Sequence, residues 1–226
     1  MTLKMTLASL VSGGKDSLYA MHLAMKDGYD IKYIVNIISE NPDSYMFHVP
    51  NARLVLKQAE LMGIPVIQKI TLGEKEKELD DLREVLHSIS NEIKGITTGA
   101  VQSNYQKDRI AKICDELHLK CINPLWHKDP EKFISDMIDA GFDIIITSVA
   151  APPMDESWLG RKLDKETLKE LILLNKKYGI SVNGEGGEYE SLVLNCPMFS
   201  RGLKIKKLKK KWFSETKHGV LELEVE

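Results

Sequence analysis

The sequence predicts an α/β fold in which a doubly wound, parallel sheet is followed by a smaller α+β domain. Over the first 125 residues, short apolar runs alternate with segments whose apolar residues recur at helical spacing. Such alternation is typical of a parallel sheet covered by helices on both faces. Beyond Pro124 the pattern becomes irregular and the chain ends in two strand-like segments, so we predict two domains, residues 1–125 and 126–226.

Hydrophobic periodicity places the elements of the first domain. Strands are predicted over residues 7–11, 31–38, 65–70, 95–98 and 120–123. Helices are predicted directly after the first strand, ending at Gly28, and over residues 50–62, 74–93 and 103–118. The apolar face of the first helix is expected to carry Leu18, Met21, His22 and Met25, and that of the long charged helix Leu79, Leu82, Leu86, Ile89 and Ile93.

The second domain is predicted to contain two helices and three strands. The helices span residues 131–140 and 165–178, and the strands span residues 142–147, 203–213 and 220–225. The segment 204–211 holds six lysines in eight residues. Pairing of the last two strands would set these lysines opposite Glu222, Glu224 and Glu226, although binding to a nucleic acid or a ribosome-bound partner is an alternative.

Composition describes an ordinary folded protein. The chain has 226 residues, of which 43% are hydrophobic and 28% charged, and its formal net charge is -2. A chain of this length buries about 70% of the surface that its unfolded form exposes, so it needs no disulfide or metal to hold a core. Intrinsic disorder is excluded as the main state. The most apolar window, residues 142–154, is too short and too interrupted for a membrane span.

The cysteines and the amino terminus indicate a reducing, cytoplasmic compartment. Cys114, Cys121 and Cys196 form no C-x-x-C pair, which favours neither a disulfide framework nor a thiolate metal site. Residues 1–11 lack the long apolar stretch and small-residue cleavage site of a secretory signal, and they are predicted to form a buried strand instead.

The segment Ser12-Gly13-Gly14-Lys15-Asp16-Ser17 joins the first strand to the first helix. Backbone N–H groups at a helix amino terminus lack intrahelical partners, so this position stabilises an anion such as phosphate. Glycines let the backbone approach phosphate oxygens. Lys15 adds positive charge, the serine hydroxyls can donate hydrogen bonds, and Asp16 is a natural ligand for Mg²⁺. A glycine-rich turn with an exposed lysine is the structural alternative.

This segment differs from the two common phosphate-binding motifs. A Walker A loop would have glycine at Ser9 and serine or threonine at Asp16, and a dinucleotide fingerprint would have glycine at Lys15. The segment resembles the pyrophosphate loop (PP-loop) of the ATP pyrophosphatases, which split ATP between its α and β phosphates. The resemblance implies a Rossmann-like fold of the adenine nucleotide alpha hydrolase type, with residues 1–125 as the ATP-binding domain.

Residues at the ends of the second and fourth strands are expected to line the same nucleotide site. In a parallel sheet, ligands bind outside the carboxyl ends of the strands. The backbone of residues 36–40, which includes Ile37, is placed to read an adenine edge. Gly99 would permit close approach of ribose or the α phosphate, and Ala100 follows it.

A second glycine-rich segment is Gly184-Glu185-Gly186-Gly187-Glu188-Tyr189-Glu190. Three carboxylates within six residues are costly to bring together unless a cation or a hydrogen-bond donor lies among them. A polar loop tip is one explanation. The other is a site for a second substrate, in which Glu185 or Glu188 holds an ammonium ion, takes its proton or coordinates Mg²⁺.

Together with shorter blocks, these segments resemble the diphthine–ammonia ligases over nearly the whole chain. The blocks are Ser12–Ser17, Ser39–Asn41, Ser44–His48, Gly99–Gln106, Leu125-Trp126 and Gly184–Glu190. The resemblance implies the last step of diphthamide synthesis, in which ATP and ammonia convert the diphthine carboxylate of translation elongation factor 2 into an amide. AMP and pyrophosphate are released.

The resemblance also implies which residues act. Lys15, Asp16, Glu185 and Glu188 are the predicted catalytic residues, and Asp16 is the predicted Mg²⁺ ligand. Lys15 is expected to be an exposed side chain, so that Lys15→Ala removes most activity and leaves the fold intact. The predicted substrate-binding residues are His48, Tyr105, Gly186, Gly187 and Tyr189. Free ammonia is the expected nitrogen source, because none of the cysteines lies in a glutaminase motif.

Several interpretations stay open at this point. A lone histidine such as His48 is more often structural than catalytic, Arg109 would face either phosphate or solvent, and Trp126 would either stack on substrate or pack in the core. A tRNA-modifying enzyme that uses the same adenylation, or a non-catalytic ATP-binding module, are alternative functions. Neither a membrane nor a stably bound nucleic acid is expected, and the sequence leaves a homo-oligomer open.

Overall fold

The structure is a computed structural model, and it describes residues 4–41, 51–74 and 76–226. Two compact units make up the chain. The first comprises Met1–Ser12 and Asp16–Trp126, and the second comprises Gly13–Lys15 and His127–Glu226.

The first unit is a five-stranded, entirely parallel sheet with helices between its strands. The strand order is β3-β2-β1-β4-β5. The strands are β1 (Thr6–Leu10), β2 (Asp30–Ser39), β3 (Val66–Thr71), β4 (Gly95–Thr97) and β5 (Lys120–Ile122). The helices are α1 (Lys15–Lys26), α2 (Val55–Met62), α3 (Glu78–Ile89) and α4 (Asn104–Glu116). The predicted parallel α/β fold is confirmed.

Apolar residues on both the sheet and the helices build the core of this unit. Ala8, Val35 and Ile37 from the strands pack in one cluster with apolar residues of α3 and α4. The predicted stripe of α3 is confirmed, since Leu79, Leu82, Leu86 and Ile89 are all buried. Ile93 is also buried but lies beyond the end of the helix.

Two predictions for the helices of the first unit need correction. On α1, Leu18 and Met21 are buried as expected, but Met25 is 40% exposed. The small side chains of Ala20 and Ala24 are buried instead. The buried face of α1 is therefore rotated from the face that its large apolar side chains predict. The second predicted helix begins as a short 3-10 turn at Ala52 and becomes α-helical only at Val55.

The second unit is a four-stranded antiparallel sheet, ordered β7-β6-β9-β8, with two helices. Its elements are α5 (Pro130–Asp139), β6 (Asp143–Val149), α6 (Lys165–Tyr178), β7 (Tyr189–Asn195), β8 (Ile205–Phe213) and β9 (His218–Val225). The aspartates Asp129 and Asp164 cap the two helices by accepting hydrogen bonds from backbone N–H groups. Gly179 ends α6 in a left-handed conformation. This unit supplies the predicted α+β part.

The lysine-rich strand β8 pairs with β9 as predicted. Lys207 lies opposite Glu224 and Lys209 opposite Glu222. Ion pairs join Lys207 to Glu224 and Lys211 to Glu222. The pairing of lysine with glutamate across the two strands is therefore confirmed.

Strand β7 is not among the three strands predicted for the second domain. Tyr189 and Glu190, which the glycine-rich pattern assigns to a loop, are paired in register with Val149 and Ser148 of β6. The three preceding glycines obscure the start of the strand. No helix in the described ranges has the length and apolar character that crossing a lipid bilayer requires.

Candidate active site

The turn between β1 and α1 places a left-handed glycine just before the amino terminus of a helix. Gly13 adopts φ 90, a conformation that strains any residue with a side chain. Helix α1 begins two residues later at Lys15 and carries Asp16 in its first turn. The Ser17 hydroxyl oxygen accepts a hydrogen bond from the Ser12 backbone N–H at 3.2 Å. This bond ties the start of the turn to the first turn of the helix.

Gly99 is fixed by its close approach to the same helix. A Cβ atom at this position would lie 2.6 Å from the backbone nitrogen of Ser17 and 2.8 Å from its Cα. Backbone atoms cannot move aside as the end of a long side chain can, so only glycine fits there. The approach of ribose or α phosphate to Gly99 stays a prediction.

The other residues predicted to bind the nucleotide are mostly buried. Ile37 is 4% exposed and belongs to the hydrophobic core, so its backbone is the part that remains for reading an adenine edge. Ala100 is also buried, and its backbone N–H donates to the Thr98 hydroxyl at 3.3 Å.

Lys15 is buried, and the prediction that it is an exposed loop side chain is wrong. It is 3% exposed. Its ammonium group donates to the backbone oxygen of Asn183 at 2.7 Å and lies 5.1 Å from the centroid of the Tyr189 ring. Its backbone N–H donates to the Ser191 hydroxyl at 3.2 Å. These contacts, together with a bond from Val193 N–H to Gly13 O at 3.1 Å, place the segment 13–15 in the second unit.

The glycines at 184–187 make room for a carboxylate and for the start of β7. A Cβ atom on Gly186 would lie 2.7 Å from Glu188 Oε1, and one on Gly184 would lie 2.7 Å from the backbone oxygen of Tyr189. Glu188 Oε1 accepts a hydrogen bond from the Ser181 backbone N–H at 2.7 Å. The Glu188 carboxylate therefore holds this loop in shape, whatever else it does.

Glu190 and Asn183 are two residues that the sequence analysis did not assign to the site. Glu190 Oε2 is buried and has no hydrogen-bond partner among the described residues. Burial raises the pKa of Glu190 to about 7, and the positive charge of Lys15 partly opposes that rise. Asn183 is 1% exposed, and its Nδ2 atom likewise has no partner in the described part of the chain. The crowding of carboxylates at 185–190 was the available signal for Glu190; none existed for Asn183.

Tyr105 and Arg109 lie together on the surface of the first unit. The Tyr105 hydroxyl donates to Glu76 Oε1 at 3.1 Å, and the Arg109 guanidinium stacks on the Tyr105 ring 3.5 Å from its centroid. Arg109 also forms an ion pair with Glu76 at 2.6 Å. Burial and the bond to Glu76 raise the pKa of Tyr105. His48 and the rest of the segment 44–48 lie outside the described residues.

The described side chains form no group of three or more metal-ligating residues. Asp16, in the first turn of α1, is a single carboxylate. Mg²⁺ is commonly held through one or two carboxylates together with substrate phosphates, so this donor set fits a nucleotide-borne Mg²⁺ rather than an all-protein metal site.

Comparison with known proteins identifies the family. The family model for the diphthamide synthase N-terminal domain matches residues 5–121, and that for the C-terminal domain matches residues 129–225. The chain belongs to the diphthamide synthase family. The two matched diphthamide synthase domains include both glycine-rich segments described above.

Relatives with curated names agree with this diphthamide synthase assignment. Proteins named diphthine–ammonia ligase from Bos taurus and Homo sapiens are each 34% identical over 218 residues, which is 87% of this chain and 81% of theirs. One from Saccharomyces cerevisiae is 27% identical over 235 residues, and the match covers 34% of that longer protein.

A solved structure aligns with this chain over most of its length. It is described as a predicted subunit of tRNA methyltransferase from Methanocaldococcus jannaschii, with a TM-score of 0.44 and 17% identity over 85% of this chain and 98% of that one. A likeness of this size carries no argument about function.

Proposed function

We propose that this protein is a diphthine–ammonia ligase, which joins ammonia to the diphthine carboxylate and so forms a carbon–nitrogen bond. The observation that carries the proposal is the match of both diphthamide synthase domains over nearly the whole chain. The named ligases that cover most of their own length in the comparison support it further.

The chemistry requires activation before amide formation. A carboxylate is a poor acyl donor because its oxygen is a poor leaving group, so the reaction is divided into two easier steps. In the first step the carboxylate oxygen attacks the α phosphorus of ATP, which forms an acyl-adenylate and releases pyrophosphate. In the second step ammonia attacks the acyl carbon, the bond to the phosphate oxygen breaks, and AMP leaves.

The Ser12–Ser17 turn is the proposed binding site for the leaving pyrophosphate. The turn places the left-handed Gly13 just before the amino terminus of α1, a position that stabilises an anion, and the N–H of Lys15 itself donates to Ser191. Lys15 adds a positive charge whose position is fixed by the bond to Asn183 O. Donors that are held in place before the reaction stabilise developing negative charge at little reorganisation cost.

Asp16 is the residue that would hold Mg²⁺ in this proposal, because it is the acidic side chain in the first turn of α1. A bound Mg²⁺ would neutralise negative charge on the phosphates of ATP.

The loop and strand around Glu188 and Glu190 are the proposed site for the second step. Glu188 shapes the loop through its bond to Ser181 N–H, and Glu185 lies two glycines before it. Tyr189, which is 2% exposed, places its ring beneath the Lys15 ammonium. Gly186 accommodates the Glu188 carboxylate, whereas a Cβ atom on Gly187 would have no neighbour within 4 Å, which leaves open space for the approach of an acyl-adenylate.

The acceptor that we propose is translation elongation factor 2 carrying diphthine, and the cytoplasm is the proposed compartment. Both rest on the family's chemistry. We expect no stable complex with nucleic acid, because the lysines of β8 that face β9 are engaged with glutamates.

The test is a complete reaction with purified components: the protein, ATP, Mg²⁺, ammonium and diphthine-bearing elongation factor 2. We expect AMP and pyrophosphate in equal amounts, and mass spectrometry of the acceptor should show a hydroxyl replaced by an amino group. ATP that stays intact with this acceptor would refute the proposal and would indicate a non-catalytic nucleotide-binding module.

A further inference from the structure

The second unit contains buried polar atoms whose hydrogen-bonding capacity is unused. They are Thr147 Oγ1 and, close together in sequence, Asn183 Nδ2, Glu188 Oε2 and Glu190 Oε2, none of which has a partner among the described residues. Buried polar groups in native proteins are nearly always paired, and the exceptions often mark a site where a ligand or an ordered water binds. Three such atoms within eight residues of sequence therefore indicate a bound group.

Two of these residues, Asn183 and Glu188, belong to one hydrogen-bonded network. Ser181 connects them, because its backbone N–H donates to Glu188 Oε1 and its hydroxyl hydrogen-bonds to Asn183 Oδ1. Its bond therefore occupies the oxygen of the Asn183 side chain. The amide nitrogen of Asn183 is consequently the atom that remains for a ligand.

Lys15 connects the chain at Asn183 with the chain next to Glu190. Its ammonium donates to the backbone oxygen of Asn183 at 2.7 Å, and its backbone N–H donates to the hydroxyl of Ser191, the residue after Glu190. The positive charge of Lys15 also acts on the Glu190 carboxylate, because it partly opposes the rise in its pKa. Lys15 therefore joins the two stretches of backbone that carry the unused amide donor and the unused carboxylate oxygen.

The unused atoms define the chemical class of the ligand. Buried carboxylate oxygens require a donor of hydrogen bonds, and the Asn183 amide requires an acceptor. Ammonium supplies donors for the carboxylate, and ammonia supplies donors and also one lone pair for the amide.

We propose that Asn183 and Glu190, positioned by Lys15 and Ser181, form the site that binds ammonium and holds ammonia for attack on the activated acyl group. The inference rests on the proposed ligase function and names the residues that take its nitrogen substrate. Glu190 Oε2 first takes one proton from ammonium, which leaves ammonia. The lone pair of ammonia then leaves the Asn183 amide and forms the new bond to the acyl carbon. AMP departs with the electrons of the broken carbon–oxygen bond, and the nitrogen gives its extra proton to water.

Glu190→Gln tests this site in the full-length protein. The substitution keeps the shape of the side chain and removes its charge. We expect the KM for ammonium to rise by at least about tenfold, as for loss of a charge-assisted hydrogen bond. Diphthine-dependent exchange of pyrophosphate into ATP, which reports the first step alone, should change by less than about twofold. The matched control is Glu166→Gln on exposed α6, which should change neither value.

A binding measurement makes the result independent of turnover. At equal ionic strength, ammonium chloride should raise the Tm of the wild-type protein above the value in sodium chloride or potassium chloride. Glu190→Gln should lose that difference.

The outcomes separate the inference from the proposed function. An unchanged ammonium KM in Glu190→Gln, or equal stabilisation by potassium and ammonium, would overturn the ammonium site. A wild-type protein that forms no amide would overturn the ligase proposal. The Tm measurements in ammonium chloride would then be the only test of whether Asn183 and Glu190 bind ammonium.

Discussion

The two glycine-rich segments of this protein use glycine for opposite purposes. In the Ser12–Ser17 turn, Gly13 adopts a left-handed conformation, and the atoms proposed to bind a ligand are backbone N–H groups at the start of α1. In the segment 184–190, Gly186 leaves room for the Glu188 carboxylate, and the atoms proposed to bind a ligand are side-chain oxygens. We propose an anion for the first segment and a cation for the second. Glycine content alone therefore does not tell which charge a loop binds.

Lys15 lies in the first segment and contacts Tyr189 of the second. We therefore expect its removal to have the largest effect. We expect Lys15→Ala to lower AMP formation by about a hundredfold or more, because a fixed donor to the leaving pyrophosphate is lost. Because Lys15 is buried, the variant should also lose about 1–3 kcal/mol of stability through the unpaired Asn183 oxygen. Steady-state AMP release and urea unfolding measure the two effects.

The control for that substitution is Lys169→Ala, which removes an exposed lysine that pairs only with Glu166 in the described contacts. It should leave turnover unchanged. AMP release by Lys15→Ala at the wild-type rate would contradict the assignment of the turn as the anion-binding segment.

Gly99→Ala tests whether the close packing of Gly99 against the backbone of Ser17 fixes the Ser12–Ser17 turn. The added methyl group would lie 2.6 Å from the Ser17 backbone nitrogen, so α1 must shift. We expect a loss of about 2–3 kcal/mol in the free energy of unfolding, typical of overpacking, and a weaker affinity for ATP. Gly202→Ala is the control, since its Cβ would lie 3.5 Å from Asn195, an ordinary contact. Equal stability of the two variants would show that the turn is not fixed by Gly99.

Glu190, in the segment 184–190, should make the stability of the protein depend on pH. Its folded-state pKa of about 7 lies above the ordinary value of 4.5, so the folded protein binds the proton more tightly than the unfolded chain. The contribution of this group to stability is therefore greatest below pH 4.5 and decreases as the pH rises from there through about 7, by an amount on the order of 3 kcal/mol.

Glu190→Gln should abolish that decrease and make the protein more stable than wild type at pH 8. Urea unfolding at pH 5, 6, 7 and 8 measures the effect on both proteins. Parallel pH profiles for the two would show that Glu190 is not the group responsible. A variant that is more stable yet binds ammonium less well would identify a site maintained at the expense of stability.

The smallest expected effect concerns the glycine that accommodates Glu188. Gly186→Ala should displace the Glu188 carboxylate and break its bond to Ser181 N–H, with a loss of about 1 kcal/mol. Because the clash involves only that side chain, the penalty should vanish when Glu188→Ala is already present. Free energies of unfolding for the two single variants and the double variant test this coupling. Additive values would mean that the backbone, not the carboxylate, requires glycine.

The first segment was largely predictable from sequence, whereas the second was not. The turn at residues 12–17 could be predicted from its neighbours in sequence, since an apolar strand precedes it and an amphipathic helix follows it. The burial of Lys15 depends on Asn183 and Ser191, which are distant along the chain. The parallel sheet followed from the alternation of elements, but the start of β7 at Tyr189 depends on pairing with β6, which local composition does not reveal.

The amino-terminal residues contribute to both units, which matters when the protein is divided into fragments. Thr6–Leu10 forms the central strand of the parallel sheet, while Gly13–Lys15 belongs to the other unit. No single cut at the 126/127 junction can therefore yield two complete halves. A fragment starting at His127 would lack Gly13, whose backbone oxygen accepts a hydrogen bond from Val193 N–H. A peptide that carries residues 13–15 would have to be added to such a fragment to supply this contact.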